Sequence, residues 1–198
     1  MLTQIKEIIE PLNSSDGAGV KLKRSIGTQL IDYFDPFLML DEFGSENKDD
    51  YIGGFPPHPH RGIETVTYML SGAFEHEDSI GAKGVMKSGD VQWMKTGRGI
   101  IHSEMPAMTD GKLHGFQLWI NIPAKLKKNK HGDVKDSTLI LLTRGKDLRV
   151  KAKSNSKFLV VSGKPINEEI ARGGPFVMNT KAEILQAVQD YHSGTFVK

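Results

Sequence analysis

His58-Pro59-His60 and His102-Ser103-Glu104 each place two side chains able to ligate a metal at positions i and i+2. A β-strand turns such positions to one face. Two neighbouring strands of that kind, facing inward, would gather three imidazoles and a carboxylate around one point. A lone histidine is more often an ordinary surface or core residue than a ligand. Two independent pairs in a glycine-punctuated strand pattern favour a transition-metal site. Nitrogen and oxygen donors without sulfur suit Fe(II), Mn(II), Ni(II), Co(II), Cu(II) or Zn(II), and affinity order alone does not choose among them. Four protein ligands on an octahedral metal would leave room for a bidentate substrate, or for substrate and dioxygen; a closed tetrahedral zinc would leave none.

Which carboxylate binds is open at this level. Glu64 shares even parity with His58 and His60, so on one regular strand it is an alternative ligand to Glu104 or a residue that orients a histidine from behind. His114 has the parity of Phe116 and Leu118 and is expected to face the cavity as an outer-shell partner. His76, His131 and His192 are expected on the surface, Trp93 and Trp119 inside, and Phe43, Phe55 and Met94 on an apolar wall. Ser103 beside His102, with Asp41 or Asp90 elsewhere, supplies the residue types of a hydrolytic triad. Adjacent strand residues face opposite ways, so that contact cannot form.

These groups need a β scaffold to hold them. Short candidate strands run Lys21–Ile26, Phe37–Phe43, Ile63–Leu70, Gly72–Asp78, Gly84–Lys87, Asp90–Lys95, Gly99–Met105 and His114–Ile120. Three more follow at Thr138–Thr143, Leu148–Ala152 and Phe158–Ser162. Ser71-Gly72, Ser88-Gly89, Thr96-Gly97-Arg98-Gly99 and Asp110-Gly111 read as turns. With 21 glycines, this pattern predicts an all-β sandwich or barrel of jelly-roll type. One helix interrupts it: Thr180 and Glu183 form a capping box, Ile184, Leu185, Val188 and Tyr191 share a face, and Gly194 can end it. The charged stretch from Lys125 to Ser137 marks the expected boundary between residues 1–124 and a shorter unit, 125–198.

Among 198 residues there is no cysteine, which excludes disulfides, thiolate catalysis and zinc-finger chemistry and fits a cytoplasmic protein. The chain has no apolar run of roughly 18 residues, and its first residues lack the pattern of a secretory signal. A net charge of +2 is nearly balanced. The basic cluster Lys125–Lys130 reads as a solvated connection, and direct nucleic-acid binding is not expected.

Phe34–Phe43, Phe55–Gly62, Gly89–Met94 and Gly97–Glu104, with Val161–Glu168 and Gly174–Thr180 further on, resemble the pirin family of the cupin superfamily. The resemblance runs from Ser25 to Pro123 and then resumes. It implies a cupin jelly roll with a single iron, most simply Fe(II), whose ligands fall on His58, His60, His102 and Glu104; Glu64 matches a glutamate that other cupins use instead. It further implies an oxidoreductase of quercetin 2,3-dioxygenase type, taking a small aromatic substrate and dioxygen, with Glu104, or Glu64 if it is free, as the catalytic base. The alternative it implies is a non-enzymatic iron-dependent regulator that binds a transcription factor or a metabolic enzyme. Pirins usually carry two barrels, and this chain is too short for a second complete one. The truncated β unit must therefore pack on the first barrel or pair with another copy as a homodimer.

Overall fold

The structure is a computed structural model and describes residues 9–128 and 163–197. Two antiparallel sheets form it. The larger has the strand order β1-β2-β3-β10-β5-β8 and the smaller β4-β9-β6-β7. In chain order these are β1 (Leu12–Asp16), β2 (Val20–Ile26), β3 (Phe37–Ser45), β4 (Phe55–His60), β5 (Ile63–Ser71) and β6 (Ala73–Asp78). Then come β7 (Lys83–Lys87), β8 (Val91–Lys95), β9 (Ile100–Pro106) and β10 (Leu113–Asn121). This is a jelly roll. The predicted strands in this region are all present, and β1 is an addition that the sequence did not signal. The strands expected at Thr138–Thr143, Leu148–Ala152 and Phe158–Ser162 lie outside the described residues.

Strict alternation places side chains between the sheets. On β5, Ile63, Thr65, Thr67 and Met69 are buried while Glu64, Val66 and Tyr68 are less so; on β9, Ile100, His102 and Glu104 are buried. One end of the interior is an apolar cluster of Val20, Leu22, Phe43, Tyr51, Met69, Phe74, Met86 and Leu113. Phe43 and Phe74 meet there with ring centroids 5.4 Å apart. Phe43 and Phe55 belong to this packing. The other end is polar, and it holds the histidines.

The C-terminal segment closes that polar end. A short helix α1 (Ala124–Lys127) follows β10, and later β11 (Ala171–Gly173) pairs with β12 (Phe176–Met178) ahead of helix α2 (Lys181–His192). Thr180 and Glu183 make both bonds of the expected capping box. The docked stripe differs from the sequence reading. Leu185 is 65% exposed, and Ala187 is buried with Phe176 and Phe196, flanked by Ile184 and Val188. Here the docking face is set by Phe176 and Phe196, which the helix sequence alone does not reveal.

β12 is stitched to the barrel at the turn between β4 and β5. Val177 N donates to Arg61 O at 3.0 Å. Lys127, which is buried, donates from Nζ to Gly62 O, Asn121 Oδ1 and Val177 O at 2.8, 2.6 and 3.1 Å. Gly62 has φ +82°, and a Cβ there would stand 1.8 Å from Val177 O, so glycine is required. Arg61 is clamped as well. Its Nη1 donates to Asp190 Oδ2 at 2.6 Å, and its guanidinium lies 4.4 Å from the centroid of the Phe196 ring. Among the described residues no helix is long and apolar enough to cross a membrane.

Candidate metal centre

β4 and β9 are antiparallel neighbours in a register that sets His58 directly opposite His102, with a bulge between Phe55 and His58. Pro59 fits because β4 is the edge strand of its sheet. The side chains of His58, His60 and His102 converge, with one ring nitrogen from each lying within 4.8 Å of the others. His60 and His102 are each 2% exposed, and His58 is half-buried.

The back of each ring is engaged. Nδ1 of His58 lies 2.7 Å from Pro56 O, and Nδ1 of His60 lies 3.3 Å from Pro175 O. A carbonyl only accepts, so each Nδ1 carries the proton and each Nε2 presents a bare lone pair. Those two Nε2 atoms face each other at 3.0 Å. Two lone pairs so placed repel unless a cation lies between them. His102 Nε2 is buried with no hydrogen-bond partner, while its Nδ1 is 3.5 Å from His76 Nδ1. Burial, reinforced by neighbouring His58, pulls His60 down to about 3. Burial and the other histidines push His102 far below the usual range. Neutral imidazole is the form that binds metal. An orphaned nitrogen, opposed lone pairs and rings fixed from behind fit a divalent transition metal.

Glu104 is buried beside this group but stands outside it. Thr67 Oγ1 donates to its Oε1 at 2.9 Å, and Gln117 Nε2 donates to its Oε2 at 2.7 Å. The amide orientation is determined by Trp119, whose Nε1 donates to Gln117 Oε1 at 3.2 Å. Indole N–H only donates, so the oxygen of Gln117 must face it and the nitrogen must face Glu104. Trp119 also sets its ring against His60, centroids 4.9 Å apart and planes at 79°.

Several expected residues fall elsewhere. Glu64 cannot reach the histidines as an alternative ligand. The chain turns at Gly62 between β4 and β5, so parity does not carry across. Glu64 occupies the face of β5 opposite to Thr65 and Thr67, where it accepts from Trp93 Nε1 at 2.8 Å. Trp93 is therefore also on that face rather than inside the barrel. His114 is not behind the ligands either; its Nε2 lies 2.8 Å from Glu42 Oε1, and its ring packs near Phe116. On β10 the residues facing the site are Gln117 and Trp119, and His114 has the other parity. His76, expected on the surface, is 3% exposed and touches His102. His192 is exposed, and His131 lies outside the described residues. Thr67 and Gln117 were missed because cross-strand register is needed to find them. His76 and Asp78 carried a signal, an i,i+2 pair on a predicted strand.

Comparison with known proteins bears on this centre. The Pirin family model matches residues 19–120, and that of the Pirin C-terminal cupin domain matches 110–197. A pirin-like protein of Caulobacter vibrioides is 34% identical, over 97% of this chain and 98% of its own. Human pirin is 30% identical over 90% and 89%. A Vibrio cholerae protein, provisionally named a quercetin 2,3-dioxygenase, is 36% identical over 98% and 97%. That alignment spans 275 positions against 198 residues here, so this chain is shorter than its relatives. The crystal structure of quercetin 2,3-dioxygenase from Acinetobacter baumannii superposes with a TM-score of 0.75 at 27% identity, covering 95% of this chain and 96% of that one.

Proposed function

The chain belongs to the pirin family, and we propose that it is a metal-dependent dioxygenase of quercetin 2,3-dioxygenase type acting on flavonol-like aromatic substrates. The observation that carries this reading is the convergence of one ring nitrogen each from His58, His60 and His102, with Nδ1 of every ring engaged from behind. The names of the V. cholerae and A. baumannii relatives support the choice of reaction. In this reading residues 1–124 form the metal-binding unit and 125–198 a shortened C-terminal unit.

The three histidines would hold one divalent transition metal, Fe(II) in our assignment, with Glu104 as a fourth ligand or as the base beside it. When bound, that metal supplies Lewis acidity that lowers the pKa of a substrate hydroxyl. In this reading Glu104 receives the hydroxyl proton. Its two oxygens are not equivalent as acceptors. Gln117 can only donate to Oε2, whereas the Thr67 hydroxyl can turn from donor to acceptor. The proton is therefore better accommodated on Oε1, where the Thr67 hydroxyl can rotate and accept.

Oxygen-electrode assays of metal-loaded protein with quercetin test this reading. Uptake that His58→Ala or His102→Ala abolishes supports it. No uptake across a flavonol panel with Fe, Mn, Co, Ni or Cu rejects the enzyme and leaves iron-dependent binding to a protein partner. Elemental analysis of protein purified without added metal tests the assignment of iron.

A further inference from the structure

We propose that Asp78 and His76 form a buried relay behind His102 whose fixed hydrogen-bond polarity keeps His102 Nε2 bare for metal; both act as positioning residues. The inference rests on reading His58, His60 and His102 as ligands, and it adds two residues to that site.

β6 runs beside β9 in a register that sets His76 opposite Glu104 and Asp78 opposite His102. His76 and Asp78 are at i and i+2, so they share the face that carries the site. Both side chains are nearly fully buried. His76 Nε2 is 3.3 Å from Asp78 Oδ2, and His76 Nδ1 is 3.5 Å from His102 Nδ1. The rings of His76 and His102 are 5.3 Å apart. The far end of the relay is pinned: Asp78 Oδ1 accepts from Ile80 N and Ala82 N at 3.0 and 2.9 Å.

Polarity follows from the carboxylate end. Asp78 accepts, so His76 Nε2 carries a proton, and with the imidazole neutral its Nδ1 holds a lone pair. That lone pair accepts from His102, which places the His102 proton on Nδ1. His102 Nε2 is then without a proton, and it is buried with no hydrogen-bond partner among the described residues. A metal-bound histidine needs an acceptor behind it. For His58 and His60 that acceptor is a backbone carbonyl; for His102 it is another side chain. The consequence is that mutation can reverse this relay.

Asp78→Asn is the sharpest test. Ile80 N and Ala82 N would hold the amide oxygen and turn the NH2 toward His76. Every bond in the relay would then reverse, and the proton on His102 would move to Nε2. In long-range 1H–15N NMR spectra of metal-free protein, His102 should carry its proton on Nδ1 in the wild type and on Nε2 in this variant. In chelator competition with Co(II), Asp78→Asn and His76→Phe should bind about 10–100-fold more weakly than wild type. His76→Gln, whose amide oxygen can accept from His102 Nδ1, should recover most of that loss. An unchanged His102 tautomer in Asp78→Asn, with Co(II) affinity within threefold of wild type, would overturn the proposal. Wild type that binds no Co(II) rejects the ligand reading instead, and the tautomer measurement still decides the relay. Should His76→Phe not fold, Asp78→Asn and His76→Gln carry the test.

Discussion

Pro175 O lies 3.3 Å from His60 Nδ1, so a carbonyl far along the sequence orients a candidate ligand on the first barrel. The carbonyl is held in place because β12 is anchored at Gly62 and Lys127.

Gly62→Ala should cost about 2–4 kcal/mol, combining a left-handed backbone at a residue with Cβ and a clash with Val177 O. It should also weaken Co(II) binding, because β12 and Pro175 must shift away from His60. Urea denaturation and chelator competition measure the two effects. Loss of stability with affinity unchanged would show that Pro175 does not orient His60.

Gln117→Leu should lower turnover in the oxygen-uptake assay about 10–100-fold, since a carboxylate displaced by even an ångström loses its alignment. It leaves Glu104 Oε2 and Trp119 Nε1 without partners, which should cost about 1–3 kcal/mol for a buried polar group. Steady-state kcat with thermal denaturation separates the two. Full turnover in a destabilised variant would remove Glu104 from the proposed base role.

Metal addition should raise the melting temperature, because a cation relieves the opposed lone pairs of His58 and His60. At a hundredfold excess over Kd the gain is about 2.7 kcal/mol. His58→Ala should remove that metal-dependent rise and leave metal-free stability close to wild type. Differential scanning fluorimetry with and without EDTA reads both.

Lys127 gives a pH dependence of defined sign. Burial pulls its ammonium from the ordinary 10.5 to about 8. Between those values the unfolded chain holds a proton that the folded chain has released, so raising the pH favours folding. Below pH 8 both states are charged and the slope vanishes. Relative to Lys127→Met, the wild type should therefore gain stability from pH 8 to 10.5 and stay level from pH 6 to 8. A difference that is flat across the upper range would contradict the assignment. The variant should be less stable throughout, having left Gly62 O, Asn121 Oδ1 and Val177 O unpaired.

The histidines were legible because i,i+2 spacing needs only strand geometry, and the capping box of Thr180 and Glu183 is equally local. Glu64 misled because parity counting assumes an unbroken strand, and Gly62 breaks it. His114 misled for a related reason: which face of β10 meets the site depends on its register with β3 and β5. Gln117, Thr67 and Pro175 act across large sequence separations. No local pattern encodes such contacts. His76 and Asp78 repeat the spacing of the ligand pairs, but a histidine–aspartate pair on one strand is equally the pattern of an ordinary surface pair.

Arg61 immediately follows His60, and its guanidinium is gripped by Asp190 and Phe196. One peptide bond thus separates a candidate ligand from the tail of the polypeptide. Slackness in that tail would loosen the cradle before it melted the barrel. In a chain shorter than its relatives, the closing turn still ties down the arginine beside the candidate ligand.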